Sequence, residues 1–289
     1  MISVRPIKEI LSEEYWNIAF RETEENNFVF LSKNKKFRSL KESKRYWYAD
    51  PFLFEYKGET WLFTEAFDNK TEKGLIACSK YENGTFSSPK IVLEEDFHLS
   101  YPFVYEEDGE VFMLPETSAD GCIQIYKAID FPEKWMKHKV LVRVENAVDT
   151  IVYDKKLITS VVTDNSEKRV DIDIYDMNGE LVMKSLHKES QQARGAGRIV
   201  TAEGKTIRPA QDCTGGVYGA GLVFYQFEEK GENFAETQMY TLSPKEFSIG
   251  NQNAEGVHTY AKIKNLEVLD FKRRRFNLRR ILWIIQKKL

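Results

Sequence analysis

Residues 49–65 read ADPFLFEYKGETWLFTE, two apolar, aromatic runs separated by a polar turn. Residues 100–116 read SYPFVYEEDGEVFMLPE and repeat that pattern 51 positions later. Pro51 falls on Pro102, Phe52 on Phe103, Gly58 on Gly109 and Glu65 on Glu116. Short runs rich in aromatic and β-branched residues are strands, and Lys57-Gly58 or Asp108-Gly109 between them predicts a tight hairpin. Weaker echoes begin at Val148, Ala196 and Gly256, the fourth with Gly204 in its turn and Gln211 where the glutamates stood. Between the copies lie further strand-like runs such as GLIACSKY, GCIQIYKA, VDIDIYDM and GAGLVFYQF. Each unit therefore holds about four short strands in roughly 50 residues, the size of a propeller blade.

Five units fill the chain to about Asp270, which predicts an all-β, five-bladed β-propeller over residues 1–271. A β-sandwich needs no such recurring unit. The first 21 residues are expected to supply a closing strand, with YWNIAFR as its centre. In a propeller the innermost strand of every blade lines a central channel. Asp50, Tyr101, Asp149, Gly197 or Arg198, and His258 are the approximate equivalents at the mouths of those strands. Proline is confined to strand edges and starts, so the aspartate before Pro51 faces a polar funnel instead of a core.

The 289 residues are 42% hydrophobic and 13% aromatic, enough for a large core. Charge changes the picture at one end. The net charge of −3 hides eight basic and no acidic residues from Lys272 to Leu289, against 34 basic and 45 acidic residues in the body. An acidic body argues against nucleic acid as its partner. The tail FKRRRFNLRRILWIIQKKL has no proline or glycine and predicts a basic amphipathic helix over 272–289. Arg274, Arg275, Arg279, Arg280 and Trp283 would hold it on an anionic membrane surface; the alternative is a helix docked under the propeller. Three scattered cysteines, Cys78, Cys122 and Cys213, form neither a CxxC pair nor an even disulfide set. No secretory h-region and no apolar stretch of about 20 residues is visible. The expected location is therefore cytoplasmic, peripheral on the inner face of the membrane.

WYADPFLF…LFTEAF, HLSYPFVYEEDG…LPET, IYKAIDFPEKW, RPAQDC…YGAGL and VHTY resemble the N-terminal domain of glucosamine inositolphosphorylceramide transferases. That domain in turn resembles the five-bladed propellers of glycoside hydrolase families 43, 32 and 68. The resemblance implies a carbohydrate setting. In those hydrolases an aspartate in an ADP-like motif is base or nucleophile, a second aspartate tunes the acid, and a glutamate is the acid. Asp50 matches the motif; Glu116 and Asp149 are the nearest candidates for the other roles. Their order departs from the hydrolase pattern, and Tyr101 stands where the second blade would carry an aspartate.

Each candidate also has a plain structural role. Asp50 suits a cap before Pro51, Glu116 a bond to neighbouring backbone, and Glu65, as the repeat partner of Glu116, a shared structural duty. His98 and His258 sit at strand mouths; His258 suits a sugar hydrogen bond or a central water or ion. Arg208, with Gln211 and Asp212 in RPAQDC, is the expected phosphate anchor, since arginine donates paired bonds to phosphate; its plain role is a salt bridge to a nearby carboxylate. Arg194 and Arg198 flank glycines in QQARGAGR. Trp47 and Tyr101, with Tyr46 and Tyr48, are candidate sugar-stacking faces. No dense metal-ligand motif or cofactor fingerprint is present. The expected function is a membrane-associated glycosyltransferase joining an activated nucleotide sugar to a glycan or lipid-linked acceptor. A family-43 type hydrolase and a non-catalytic sugar-binding scaffold are the alternatives.

Overall fold

A computed structural model describes residues 12–32, 35–231 and 233–276. Five sheets, antiparallel but for the parallel pairing of Lys36–Ser39 with Ser248–Ile249, form a β-propeller. The first blade runs outward from Tyr46–Tyr56 through Glu59–Asp68 to Lys73–Glu82, with Thr85–Phe86 and Lys90–Leu93 at its edge. The second comprises Ser100–Glu107, Glu110–Glu116, Cys122–Asp130 and Lys134–Arg143. The third comprises Ala147–Tyr153, Lys156–Asp164, Arg169–Asp176 and Leu181–Met183, and the fourth Val200–Ala202, Lys205–Asp212, Gly221–Lys230 and Asn233–Leu242. The hairpin signals hold: φ is positive at both Lys57 and Gly58, at both Asp108 and Gly109, and at both Glu203 and Gly204, as mirror-image turns require.

The fifth blade is built from both ends of the chain. Tyr260–Ile263 and Leu266–Phe276 are completed by the N-terminal strand Ser12–Glu22, then by Lys36–Ser39. Ser12–Glu22 pairs residue for residue with the second strand, from Ser12 opposite Phe276 to Glu22 opposite Leu266. This is the expected closing strand. A buried ion pair fixes it: Arg21 Nε lies 2.6 Å from Glu267 Oε2. The other oxygen of Glu267 accepts from Val29 N at 2.7 Å and from the Tyr260 hydroxyl at 2.5 Å. A buried charge pair is tolerable only when its remaining polar atoms are bonded in this way.

The tail expectation needs correction at its start. Lys272 to Phe276 are strand, because they continue the ladder with Ser12–Trp16. Arg274 lies 3.7 Å from Glu14 and 3.6 Å from Glu255, and Arg275 pairs with Glu42 while covering the Tyr15 ring. These two arginines are thus bound to the propeller's own acidic side chains. Arg279, Arg280 and Trp283 lie outside the described residues.

The core consists of apolar layers between neighbouring blades. Phe54, Phe63, Ile76, Val104 and Met113 join the first and second; Ile18, Phe20, Leu53 and Leu62 join the fifth and first. Inner strands carry the apolar residues that fill these layers, so polar residues are left for the strand mouths.

Candidate active site

Three inner strands break their ladder at the same place. The pairing skips between Ala49 and Phe52, between Ser100 and Phe103, and between Val148 and Ile151. One extra residue on the inner strand is a β-bulge, a device that redirects a side chain. Its first residue is left-handed in each case: Asp50 at φ 51°, Tyr101 at 47° and Asp149 at 52°. Aspartate tolerates this region; a tyrosine there is strained. The strand-mouth equivalence of these three, expected from the repeat, is thus a shared backbone feature.

The residue paired with the last inner-strand position before the bulge is Glu65 in the first blade, Glu116 in the second and Ser160 in the third. Such side chains stitch one blade to the next. Asp149 N donates to Glu116 Oε2 at 3.3 Å and Gly195 N to Ser160 Oγ at 3.0 Å. Asp50 N donates likewise to Asp270 Oδ2 on the fifth blade, at 3.1 Å. In the fourth blade Gly195 occupies the mouth position, two residues before Gly197 and three before Arg198. A Cβ there would lie 2.8 Å from Asp149 O and 3.0 Å from the Tyr101 hydroxyl, so only glycine fits.

Asp50, Glu65, Asp149, Gln211, His258 and Asp270 are buried around the mouth, with Glu116, His98 and Arg194 partly open. Asp50 Oδ1 accepts from Thr259 Oγ1 at 2.9 Å and lies 3.1 Å from His258 Nε2; its Oδ2 accepts from Tyr101 N at 3.2 Å. His258 Nδ1 lies 2.9 Å from Asp270 Oδ2. Burial opposes the imidazolium charge, but Asp270 and Asp50 on its two sides outweigh it and lift His258 to about 10. Burial opposes the Asp50 charge too, yet the His258 bond and charge hold that carboxyl below its ordinary value. Asp50, His258 and Asp270 also bring ligand atoms within 4.8 Å of one another, so they are the group that would hold a cation. A protonated His258 is no ligand, and a metal would first have to displace its proton. Trp16 (ring centroid 4.2 Å away) and Tyr218 (4.9 Å) wall His258 in.

Glu116 is the opposite case. Burial and the charge of Asp149 push its carboxyl up to about 8, although Arg194 Nη2 stands 3.8 Å away. Arg194 Nε bonds Asp149 Oδ2, and Gln211 Nε2 reaches the same oxygen at 3.3 Å. Burial raises Asp149 and Arg194 pulls it back. Glu65 is raised well above its usual range by burial, then by Asp50. Its Oε1 faces His98 Nε2 at 3.4 Å, while His98 Nδ1 accepts from Gly74 N at 3.0 Å, which fixes the neutral ring with its proton toward Glu65. One group of interacting side chains at the channel mouth therefore holds an ionised carboxylate, Asp50, and a carboxylic acid, Glu116.

These shifts make stability depend on pH in a definite direction. A group with a raised folded pKa contributes stability that is complete below its unfolded value and lost as pH rises through its folded value. For Glu116 that window is 4.5 to about 8, and for His258 6.5 to about 10. Asp50 acts oppositely, since its contribution is lost only as pH falls below its ordinary 3.8. The melting temperature should therefore peak in mild acid and fall by more than ~5 °C between pH 5 and pH 9. In Glu116→Gln the fall between pH 5 and pH 8 should be shallower. Calorimetry across pH checks both, and a wild-type optimum at pH 8 or above would contradict the assignment.

The structure corrects two expected ligand contacts. Arg208 is 2% exposed and paired through Nε and Nη2 with Glu236, at 2.7 Å for Nη2, while Nη1 donates to Ala193 O at 3.0 Å. His187 completes that cluster at 2.6 Å from Glu236. The anchor role expected for Arg208 is replaced by its plain one, with Glu236 as the partner. Tyr101 is fully buried and offers no stacking face; its hydroxyl accepts from Gly197 N at 2.6 Å. It thereby links the second blade to the fourth, across the channel. Arg198 makes the reciprocal crossing, lying 4.2 Å over Phe103 and bonding Val104 O. Trp47 stacks on Phe67 at 4.5 Å, which leads to His98 at 6.2 Å, so these three form an aromatic side of the first blade. Sequence reasoning missed Asp270 as a site residue, named Arg194 only beside Arg198 in QQARGAGR, and ranked Glu65 below Glu116. The repeat did signal Glu65; Arg194 and Asp270 lie in stretches with no such partner.

Comparison with known proteins matches residues 38–271 to the family described as glucosamine inositolphosphorylceramide transferase 1, N-terminal. Glucosamine inositolphosphorylceramide transferase 1 of Oryza sativa subsp. japonica is 33% identical over 195 residues, 63% of this chain and 26% of the relative. The Arabidopsis thaliana protein of that name is 31% identical over 179 residues, 57% of this chain and 23% of the relative. The chain thus spans about a quarter of the length of these relatives. Among solved structures, the catalytic domain of the Coprinopsis cinerea GH62 α-L-arabinofuranosidase superposes with a TM-score of 0.57 at 8% identity, covering 82% of this chain and 96% of that domain. A protein of unknown function from Dyadobacter fermentans gives 0.50 at 11% identity over 84% of this chain and 76% of that one. At such identities these likenesses speak for the fold.

Proposed function

The chain belongs to the family of the N-terminal domain of glucosamine inositolphosphorylceramide transferase 1, and on that premise we propose that it is a carbohydrate-active enzyme that transfers a glycosyl group. The observation that carries this reading is the pairing of opposite protonation states in one group of interacting side chains, Asp50 ionised and Glu116 protonated near neutral pH. Glycosidic chemistry needs such a pair, one carboxyl to give a proton to the leaving oxygen and one to take a proton or form a bond. Glu116 protonates the leaving group. Asp50 activates the acceptor hydroxyl or attacks the sugar carbon. Arg194 and Asp149 set the acidity of Glu116. The relatives carry a sugar and a glycolipid in their names, so the acceptor proposed is a glycan or glycolipid hydroxyl.

A nucleotide sugar, the donor expected from sequence, loses its anchor with Arg208 buried against Glu236. The remaining pocket arginine, Arg194, is engaged by Asp149 and Glu116. An acidic pocket with a proton donor suits a donor whose leaving group is an alcohol. Incubating the protein with glycoside donors and with nucleotide sugars, each with and without a glycolipid acceptor, tests this. Transfer from a glycoside to the acceptor is expected. Release of free sugar regardless of acceptor would mark a hydrolase, and transfer from the nucleotide sugar alone would overturn the donor assignment.

Placement at a membrane rests on the one-signed charge beyond Phe276, where Arg279, Arg280, Lys287 and Lys288 stand without an acidic residue. Each cation near an anionic leaflet contributes about 1 kcal/mol. Removal of residues 277–289 should abolish flotation with phosphatidylserine liposomes at moderate salt; equal flotation of both forms would contradict it.

A further inference from the structure

A crevice lies between the first and second blades, away from the strand mouths. Three strands of the first blade present one face to it. Trp61 pairs with Lys80, Phe63 with Cys78, and Cys78 with Lys90, and paired residues share a face of a sheet. The turn between Cys122–Asp130 and Lys134–Arg143 of the second blade meets that face. Its Phe131 packs edge-on to Trp61 at 5.6 Å and lies 6.0 Å from Phe63. Trp135 holds the turn, donating from Nε1 to Pro132 O at 2.8 Å. Between the two blades a cavity of about 240 Å³ remains, with Trp61, Cys78 and Pro132 in its wall and Lys80, Glu82, Lys90 and Glu133 around them.

Two features ask for an occupant. Trp61 Nε1 is buried and has no hydrogen-bond partner among the described residues, whereas Trp135 has its acceptor. A buried donor without an acceptor is costly and rare. The second feature is the balance of charge. Lys80 pairs with Glu59, and Lys90 of the first blade meets Glu133 of the second at 3.3 Å. An anion in the cavity would face Glu82 and Glu133, and a cation would face Lys80 and Lys90, so neither gains a site of one sign. A neutral ligand rich in hydroxyl groups finds donors and acceptors side by side. The Lys90–Glu133 pair is 76% and 59% exposed; such pairs are weak and exchange readily with hydroxyls. The volume falls below the roughly 300–1,000 Å³ of sites for larger ligands, which limits the occupant to one ring.

We propose that this crevice binds one neutral sugar residue of a glycan. A ring or hydroxyl oxygen accepts from the Trp61 indole, other hydroxyls accept from Lys90 and donate to Glu133 and Glu82, and the apolar edge of the ring lies against Pro132. Trp61 stands four residues before Glu65 on the strand Glu59–Asp68, roughly 13 Å away at the rise of an extended chain. The crevice therefore holds sugar without reacting with it. It uses no residue of the carboxylate group, so it stands apart from the glycosyl-transfer reading.

The five tryptophans supply the readout, as indole N–H signals in the nitrogen-15 spectrum of the full chain. Trp61→Phe identifies the Trp61 signal; should that variant fail to fold, through-space contacts to Phe131 and Lys80 identify it in the wild type. Methyl glycosides of glucose, galactose, mannose and N-acetylglucosamine are titrated, with glycine and inorganic phosphate as charged controls. At least one glycoside should move the Trp61 signal saturably, with half-saturation at roughly 1–10 mM. The double variant Lys90→Ala, Glu133→Ala removes two exposed side chains of opposite charge and should weaken that response at least tenfold. Asp50→Asn, which tests the strand mouths, should leave it unchanged whether or not the mouth carries out transfer. A Trp61 signal that no glycoside moves, an equal response in the double variant, or a response to phosphate or glycine in place of sugar would overturn the proposal.

Discussion

Asp50→Asn is expected to lower kcat/KM by at least ~10³-fold while leaving the protein folded. A positioned base contributes roughly 10²–10⁴, and this substitution removes the charge as well as the proton acceptor. Asparagine suits the test for a backbone reason: Asp50 has φ 51°, and asparagine is among the few residues that tolerate this region. Its side-chain oxygen can still accept from Thr259 Oγ1, now 2.9 Å from Asp50 Oδ1. His258 keeps Asp270 at 2.9 Å. The expected structural cost is a less basic His258 and a smaller loss of stability at high pH, both visible in the calorimetric pH series. Kinetics against glycoside donors, with melting measured on the same sample, separates the two effects. Activity within about threefold of wild type, in a folded variant, would mean that Asp50 serves only as the joint between the fifth, first and second blades. The contacts of that joint are the bonds Asp50 accepts from Thr259 and Tyr101 and its approach to His258.

The fold was legible because a propeller writes its geometry into the chain as repetition. Pro51 and Pro102, Gly58 and Gly109, Glu65 and Glu116 recur together because the same bulge, the same turn and the same inter-blade position recur. The closing strand was legible as the run YWNIAFR, which lies within Ser12–Glu22. The third hairpin was fainter for a physical reason: its turn falls two residues nearer the bulge, with Tyr153 opposite Lys156 and Ile151 already the first paired residue beyond the break. Fixed spacing from the turn therefore misaligns it.

The site was legible only where chemistry coincided with the repeat. Asp50, Glu116 and Asp149 sit at repeat positions and converge. Arg208 looked like a ligand for phosphate because its partner, Glu236, lies 28 residues away on the outermost strand of the same blade. Its own strand offered Asp212, which instead bonds Thr214. Tyr101 looked like a sugar platform because an aromatic at a strand mouth usually faces solvent. Its left-handed backbone turns it across the channel instead. The tail looked helical from composition, but Lys272–Phe276 had already been claimed by pairing with the N-terminal strand. In each instance the deciding contact joins distant parts of the chain.

Glu116→Gln should separate proton donation from every other function of the pocket. Glutamine keeps an acceptor for Asp149 N, now bonded at 3.3 Å, and mimics the neutral acid in size and charge. The seam between the second and third blades should persist. With a donor whose leaving group is an alkyl alcohol, kcat/KM should fall by ~10²–10⁴-fold, the range for loss of a positioned acid. With an aryl leaving group of low pKa, which departs without a proton, the loss should shrink to roughly tenfold or less. The pH profile carries the second half of the test. Wild-type activity on the alkyl substrate should decline as Glu116 ionises near its value of about 8, and the variant should lack that limb. Arg194 supplies a further check, since its charge lowers Glu116; Arg194→Gln should move the alkaline limb upward. A variant equally impaired on both leaving groups, with the limb retained, would assign the proton to another group. Glu65 would be the first to examine, because burial and Asp50 hold it protonated as well.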